Sequence, residues 1–127
     1  AHDPQGRAIR VHFGGPVERG RGFVLHSTDY GGGAATMKIG GSFGMTATLD
    51  VLEAMAKGKG PDRALLALGY AGWGPGQLES EIARNDWLTA EANESVIFSD
   101  NDSGKWTVVL RHMGIDPLTL SATAGRA

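Results

Sequence analysis

The chain has 127 residues, 41% hydrophobic and 20% charged, with a net charge of −2 and a pI near 6.1. That length suffices for one compact domain with its own core, while the charge argues against a nucleic-acid-binding module, which usually has a basic face and a pI above ~9. Cysteine is absent, which excludes a disulfide framework and a thiolate zinc site, and no apolar run approaches the ~18–20 residues of a membrane span.

Taken in chain order, Ile9 to Phe13 alternates apolar and polar residues and predicts a half-buried strand, which Gly14-Gly15-Pro16 ends. Gly22 to His26 predicts a second short strand, Asp29 to Gly33 a glycine-rich loop, and Met37 to Ile39 and Phe43 to Met45 two further strands. Thr48 to Lys57 has the marks of a helix. Thr48 suits the cap, Asp50 and Glu53 suit the first turns, and Leu49, Leu52, Met55 and Ala56 make one face before Gly58 stops it. Arg63 to Gly69 is mostly apolar and predicts a buried strand.

The segment from Gly69 to Glu81 (GYAGWGPGQLESE) is the most informative stretch. It predicts a strand, a tight turn and the start of a helix. Gly72, Gly74 and Gly76 supply conformational freedom in the turn. Pro75 suits the first helical position and Gly74 its N-cap. Leu78 and Ile82 would share a buried face of a helix from about Pro75 to Arg84. Farther on, Val96-Ile97-Phe98 predicts a short buried strand. Trp106, Val109, Leu110 and Met113 form an amphipathic stripe on a final helix over 103–113, ended by Gly114 and kept from resuming by Pro117. The tail carries Leu118 and Leu120, which can dock. The expected core comprises Leu49, Leu52, Met55, Leu66, Leu68, Leu78, Ile82, Val96, Phe98, Trp106, Val109 and Leu110.

Four groups of residues have the types that chemistry needs, and each also has a structural reading. The 72–76 turn offers backbone N–H groups to an anion, but it lacks the phosphate-loop lysine and has Glu79 and Glu81 close by; alternatively its glycines only shape the turn. Arg19 and Arg21 can clamp a carboxylate or phosphate, or can belong to an exposed charged loop with an ion pair to Glu18. His12 and His26, expected on adjacent strands, could hold a metal with Glu18 or Asp29, or simply occupy polar strand faces; no metal-binding spacing is present. His26, Ser27 and Asp29 have the composition of a hydrolytic triad without a nucleophile elbow, and Gly41-Ser42-Phe43-Gly44 is one residue short of one. Trp73, on the turn, is the tryptophan expected to line a pocket.

Several blocks together resemble the AlgH/YqgE family of bacterial proteins. Gly14-Gly15-Pro16-Val17 with Arg21 to Ser27 is similar to its first block. Gly69 to Glu79, with Glu81 and Trp87, is similar to its second; Trp106, Gly114-Ile115-Asp116 and Ala124 to Ala127 resemble its C-terminal end. The resemblance implies an α+β fold, a bent mixed β-sheet flanked by about three helices. It also implies that residues 1–127 form a single AlgH-like domain lacking the family's N-terminal portion, which would leave apolar edges and a possible homodimer. The family is essentially uncharacterised, though some members carry a transcriptional-regulator label linked to alginate production.

The resulting expectation is a non-enzymatic binding or regulatory protein that takes a small anionic ligand or a protein partner. The alternatives are a DNA-binding regulator, for which the final helix offers only Lys105, Arg111 and His112, and an enzyme holding an anionic substrate at the turn. The expected ligand residues are Arg19, Arg21, Trp73, Gly74 and Gly76, with Arg19 and Arg21 meeting the turn in one cleft. No catalytic residue, metal or cofactor is expected. With no signal peptide visible, the expected location is cytoplasmic.

Overall fold

The computed structural model describes residues 10–31, 36–47 and 49–119, which fall into two compact units, Ala1–Gly74 and Pro75–Ala127. The first unit contains β1 (Val11–Phe13), β2 (Val17–His26), β3 (Thr36–Ile39), β4 (Phe43–Thr46), α1 (Asp50–Ala56) and β5 (Ala64–Tyr70). The second contains α2 (Gln77–Ala83), α3 (Glu94–Ile97), a 3-10 turn at Asp102–Gly104 and α4 (Lys105–His112). The fold class is α+β.

The sheet has the order β1-β5-β2-β4-β3. Its only parallel pair among the described strands is β1 with β5, so it is mixed. Alternation along β2 sends Val24 and His26 to one face and Phe23 and Leu25 to the other. Val24 joins Val51 and Met55 of α1 in a buried cluster, with Tyr30, Leu52, Ala64 and Leu66 packed around it. Burying Val24, Val51 and Met55 contributes roughly 1.5–3 kcal/mol each. His26 is fully buried on the α1 face and lies edge-on to Tyr30, with ring centroids 5.4 Å apart. Gly44 makes room for it, because a Cβ there would come within 2.7 Å of the imidazole.

The first-block and second-block glycines meet here. Gly14 N–H donates to the Leu68 carbonyl at 2.8 Å. A Cβ on Gly14 would collide with the Gly69 carbonyl, and one on Gly15 with the backbone of Tyr70. Glycine at these positions lets the strand leaving β1 lie directly against the end of β5.

Several expectations are corrected. The charged segment Glu18 to Arg21 is not a loop: β2 begins at Val17 and passes through it, with a register irregularity between Val17 and Gly22 that accommodates the extra residues. His12 and His26 are not on neighbouring strands, because β5 lies between β1 and β2. The Val96–Phe98 strand is replaced by α3: Asn93 accepts from the Ser95 N–H at 3.0 Å and nucleates a helical turn that overrides the β-branched run. Gly76, at φ 74, is the residue that caps α2, not Gly74, so Pro75 stands before the helix.

Pro117 does not keep helical structure from resuming, since residues 117–119 are helical. Asp116 accepts from the Leu118 N–H at 3.0 Å, and proline's missing N–H costs nothing at a first helical position. The expected core is only partly formed: Met55 and Leu110 are buried, whereas Leu49 (70% exposed), Trp106 (54%) and Ile82 (37%) are not. Ile9, Thr48, Leu120 and residues 124–127 lie outside the described residues.

Candidate functional site

Residues of the first unit create an open, apolar concavity of about 610 Å³ on the sheet face opposite α1. Phe23 and Leu25 of β2, Leu65 and Ala67 of β5 and Met45 of β4 form its floor. The register explains why they gather: Phe23 pairs with Ala67, and Leu25 pairs with Leu65 on one side and Met45 on the other. Side chains opposite one another on adjacent strands share a face.

The rim is built by the two family blocks. Gly69 has φ 78, a conformation that breaks the alternation of β5. Tyr70 thereby packs its ring against Phe23, edge-to-face with centroids 5.8 Å apart. Trp73, 40% exposed, adds a second aromatic wall. Arg21 completes the rim, with its guanidinium carbon 5.2 Å from the centroid of the Phe23 ring. Among the described residues, Arg21 is the one charged side chain that lines the concavity. Its guanidinium also pairs with Glu18 Oε2 at 3.5 Å, both side chains being 55% exposed.

The structure therefore brings two of the expected ligand residues, Arg21 and Trp73, to one concavity. Arg19 is exposed on β2; its Cα lies near Gly69, but its side chain is not part of the lining. Gly74 ends the first unit and Gly76 lies in the second, where it caps the seven-residue α2. Glu81, expected to weaken any anion site near that turn, accepts from Gln77 Nε2 at 2.9 Å and Trp87 Nε1 at 2.8 Å. Sequence reasoning missed the floor residues Phe23, Leu25, Met45, Leu65 and Ala67. The available signal was that β5 and the Phe23–Leu25 stretch of β2 are apolar on both faces, which demands a second covering or a ligand.

The other constellations resolve into structural hydrogen bonding. His26 Nδ1 donates to the Ser27 carbonyl at 2.8 Å, and Nε2 is hydrogen-bonded with the Thr46 hydroxyl at 2.8 Å. Thr46 Oγ1 is itself 2.7 Å from Thr36 Oγ1. The Ser27 hydroxyl donates to Asp29, not to His26, so these three side chains do not form a Ser-His-Asp relay. Asp29 also accepts from the Asp62 N–H at 2.9 Å, and Ser27 Oγ accepts from the Arg63 N–H at 3.0 Å. This clasp ties the end of β2 to the lead-in of β5. The Ser27 hydroxyl, and after it the Asp62 N–H, hold the Asp29 carboxyl below the ordinary carboxylate value. Among the described residues no cluster of His, Asp or Glu has metal-binding geometry, and no helix is long and apolar enough to cross a membrane.

The AlgH-like family model matches residues 2–118. The chain belongs to that family. A UPF0301 protein of Cereibacter sphaeroides (strain ATCC 17029) is 71% identical over 124 residues, covering 98% of this chain and 67% of the relative. A UPF0301 protein of Ruegeria pomeroyi is 57% identical over 117 residues, 92% of this chain and 64% of the relative. The solution structure of the AlgH protein from Pseudomonas aeruginosa superposes with a TM-score of 0.74 at 36% identity, covering 94% of this chain and 62% of that one. The chain thus spans about two-thirds of the length of the family members it matches.

Proposed function

We propose that this AlgH-like chain is a non-enzymatic binding protein whose ligand is a small molecule with an apolar body and an anionic head. The observation that carries the reading is the placement of Arg21 at the rim of an otherwise apolar concavity of about 610 Å³. That size falls within the ~300–1,000 Å³ range of small-molecule pockets, in which apolar walls supply affinity and a few polar groups fix orientation. Phe23, Tyr70 and Trp73 suit a flat hydrocarbon, and the guanidinium fork suits an oxyanion. The engaged hydrogen bonds of His26, Ser27 and Asp29 support binding without turnover. A cytoplasmic setting belongs to the same proposal.

Amide chemical-shift mapping with 1-naphthoate tests this. Progressive, saturable shifts at Arg21, Ala67, Gly69 and Trp73 are expected at millimolar ligand. Unmoved amides at those positions, or saturable shifts confined to residues after Pro75, would overturn the reading.

A further inference from the structure

One carboxylate already stands beside the Arg21 guanidinium within the chain: that of Glu18, whose Oε2 lies 3.5 Å from Nη1. Two observations set this residue apart. Glu18 has φ 46, one of two non-glycine positive values among the described residues, in a region that a glutamate rarely adopts. It also lies on the irregular part of β2, between Val17 and Gly22, where the strand departs from regular pairing with β5. That departure returns the chain so that the Glu18 carboxylate reaches Arg21 at 3.5 Å. Arg21 in turn lies over Phe23 on the floor of the concavity.

We propose that Glu18 is an internal competitor: it occupies the carboxylate position at Arg21, and the ligand is an amphipathic carboxylate that displaces it. The proposal rests on the small-molecule reading above and adds to it the head-group class and a self-blocking contact. Charge complementarity carries the choice. Among the described residues Arg21 is the one cation at the rim, and a single carboxylate satisfies a guanidinium fork. A doubly charged phosphate in the same place would meet greater repulsion from Glu18, still tethered nearby, which offsets its greater attraction to the single Arg21 charge. Because both partners are 55% exposed, the internal pair is weak and readily exchanged.

The contact is therefore a competitor and not a lock. Removing it opens the fork without changing the apolar floor. A carboxylate ligand gains from that change, whereas a neutral ligand of the same shape gains nothing. This difference separates competition for Arg21 from any general loosening of β2.

The test is a set of equilibrium titrations of the 127-residue chain with 1-naphthoate, 1-naphthyl phosphate and the neutral 1-naphthalenemethanol. Each is run on the unaltered protein and on Glu18→Gln, Glu18→Gly and Arg21→Gln. Glu18→Gly also relieves the left-handed backbone, so a thermal melt at least as high as that of the unaltered chain shows that the fold is retained. The proposal expects 1-naphthoate to bind Glu18→Gln and Glu18→Gly about two- to five-fold more tightly, the range that an exposed ion pair supports. It expects Arg21→Gln to bind 1-naphthoate at least about five-fold more weakly. The neutral alcohol should bind the unaltered protein, Glu18→Gln and Glu18→Gly alike.

Naphthoate affinity unchanged by either Glu18 substitution would overturn the competitor role while leaving the small-molecule reading intact. Tighter binding of the phosphate than of the carboxylate by the unaltered chain would overturn the head-group class. Absence of binding by every compound to every variant would remove the small-molecule reading itself.

Discussion

Asp29 shows how one side chain organises a junction. Its carboxylate takes the Ser27 hydroxyl on one oxygen and the Asp62 N–H on the other, so it links β2 to the start of β5. Because the folded value is lowered, its contribution to stability is complete above the unfolded pKa of ~3.9 and is lost as pH falls through the lower folded value. Asp29→Asn should lower stability in urea melts by on the order of 0.5–1 kcal/mol near neutral pH, a modest figure because the site is exposed. The difference from the unaltered protein should stay level down to about pH 5 and close below about pH 4. A gap that widens on acidification would contradict the assignment. Ser27 and Asp29 stood out in the sequence as two of the three members of a catalytic set; what the sequence could not show is that His26 points away, into the α1 face, where it is satisfied by Thr46.

At the scale of elements, patterns with one dominant period were legible and junctions were not. The apolar run of β5 and the period of α4 both placed an element correctly. Yet the stripe on α4 did not predict burial, since Leu110 is buried and Trp106 is 54% exposed: periodicity says which residues share a face and not what lies against it. Strand order was also invisible, because β5 enters between β1 and β2 from far along the chain.

The segment at Val96–Phe98 is instructive in the other direction. Its β-branched residues favour a strand, but Asn93 binds both the N–H and the hydroxyl of Ser95, which starts a helix locally. Asn93→Ala should cost about 1 kcal/mol and speed amide exchange at Ser95 and Ile97 before it affects the sheet. Unchanged exchange there would show that the cap does not hold α3.

For the whole molecule, the mild acidity weighs against DNA as a partner. Lys105 on α4 is engaged, bonding Asp102 at 2.9 Å and the Ile97 carbonyl at 2.8 Å, which leaves Arg111 and His112 as the exposed basic residues of that helix. In anisotropy titrations at moderate salt the chain should show no saturable, sequence-selective affinity for duplex DNA; weak binding that vanishes as salt rises is ordinary phosphate attraction. Selective binding that survives higher salt would contradict this expectation. The candidate site was half legible at this scale. The two family blocks pointed to Arg21 and Trp73, but the floor between them depends on the order and register of three strands, which the two-faced apolar runs alone do not specify.

The most direct test of the account is where a bound apolar body lies. With 1-naphthoate at saturating concentration, intermolecular nuclear Overhauser contacts should connect the naphthyl protons to the methyl groups of Met45 and Ala67, the floor of the concavity. Contacts instead confined to the exposed rings of Trp87 and Trp106, with none at Met45 or Ala67, would contradict it.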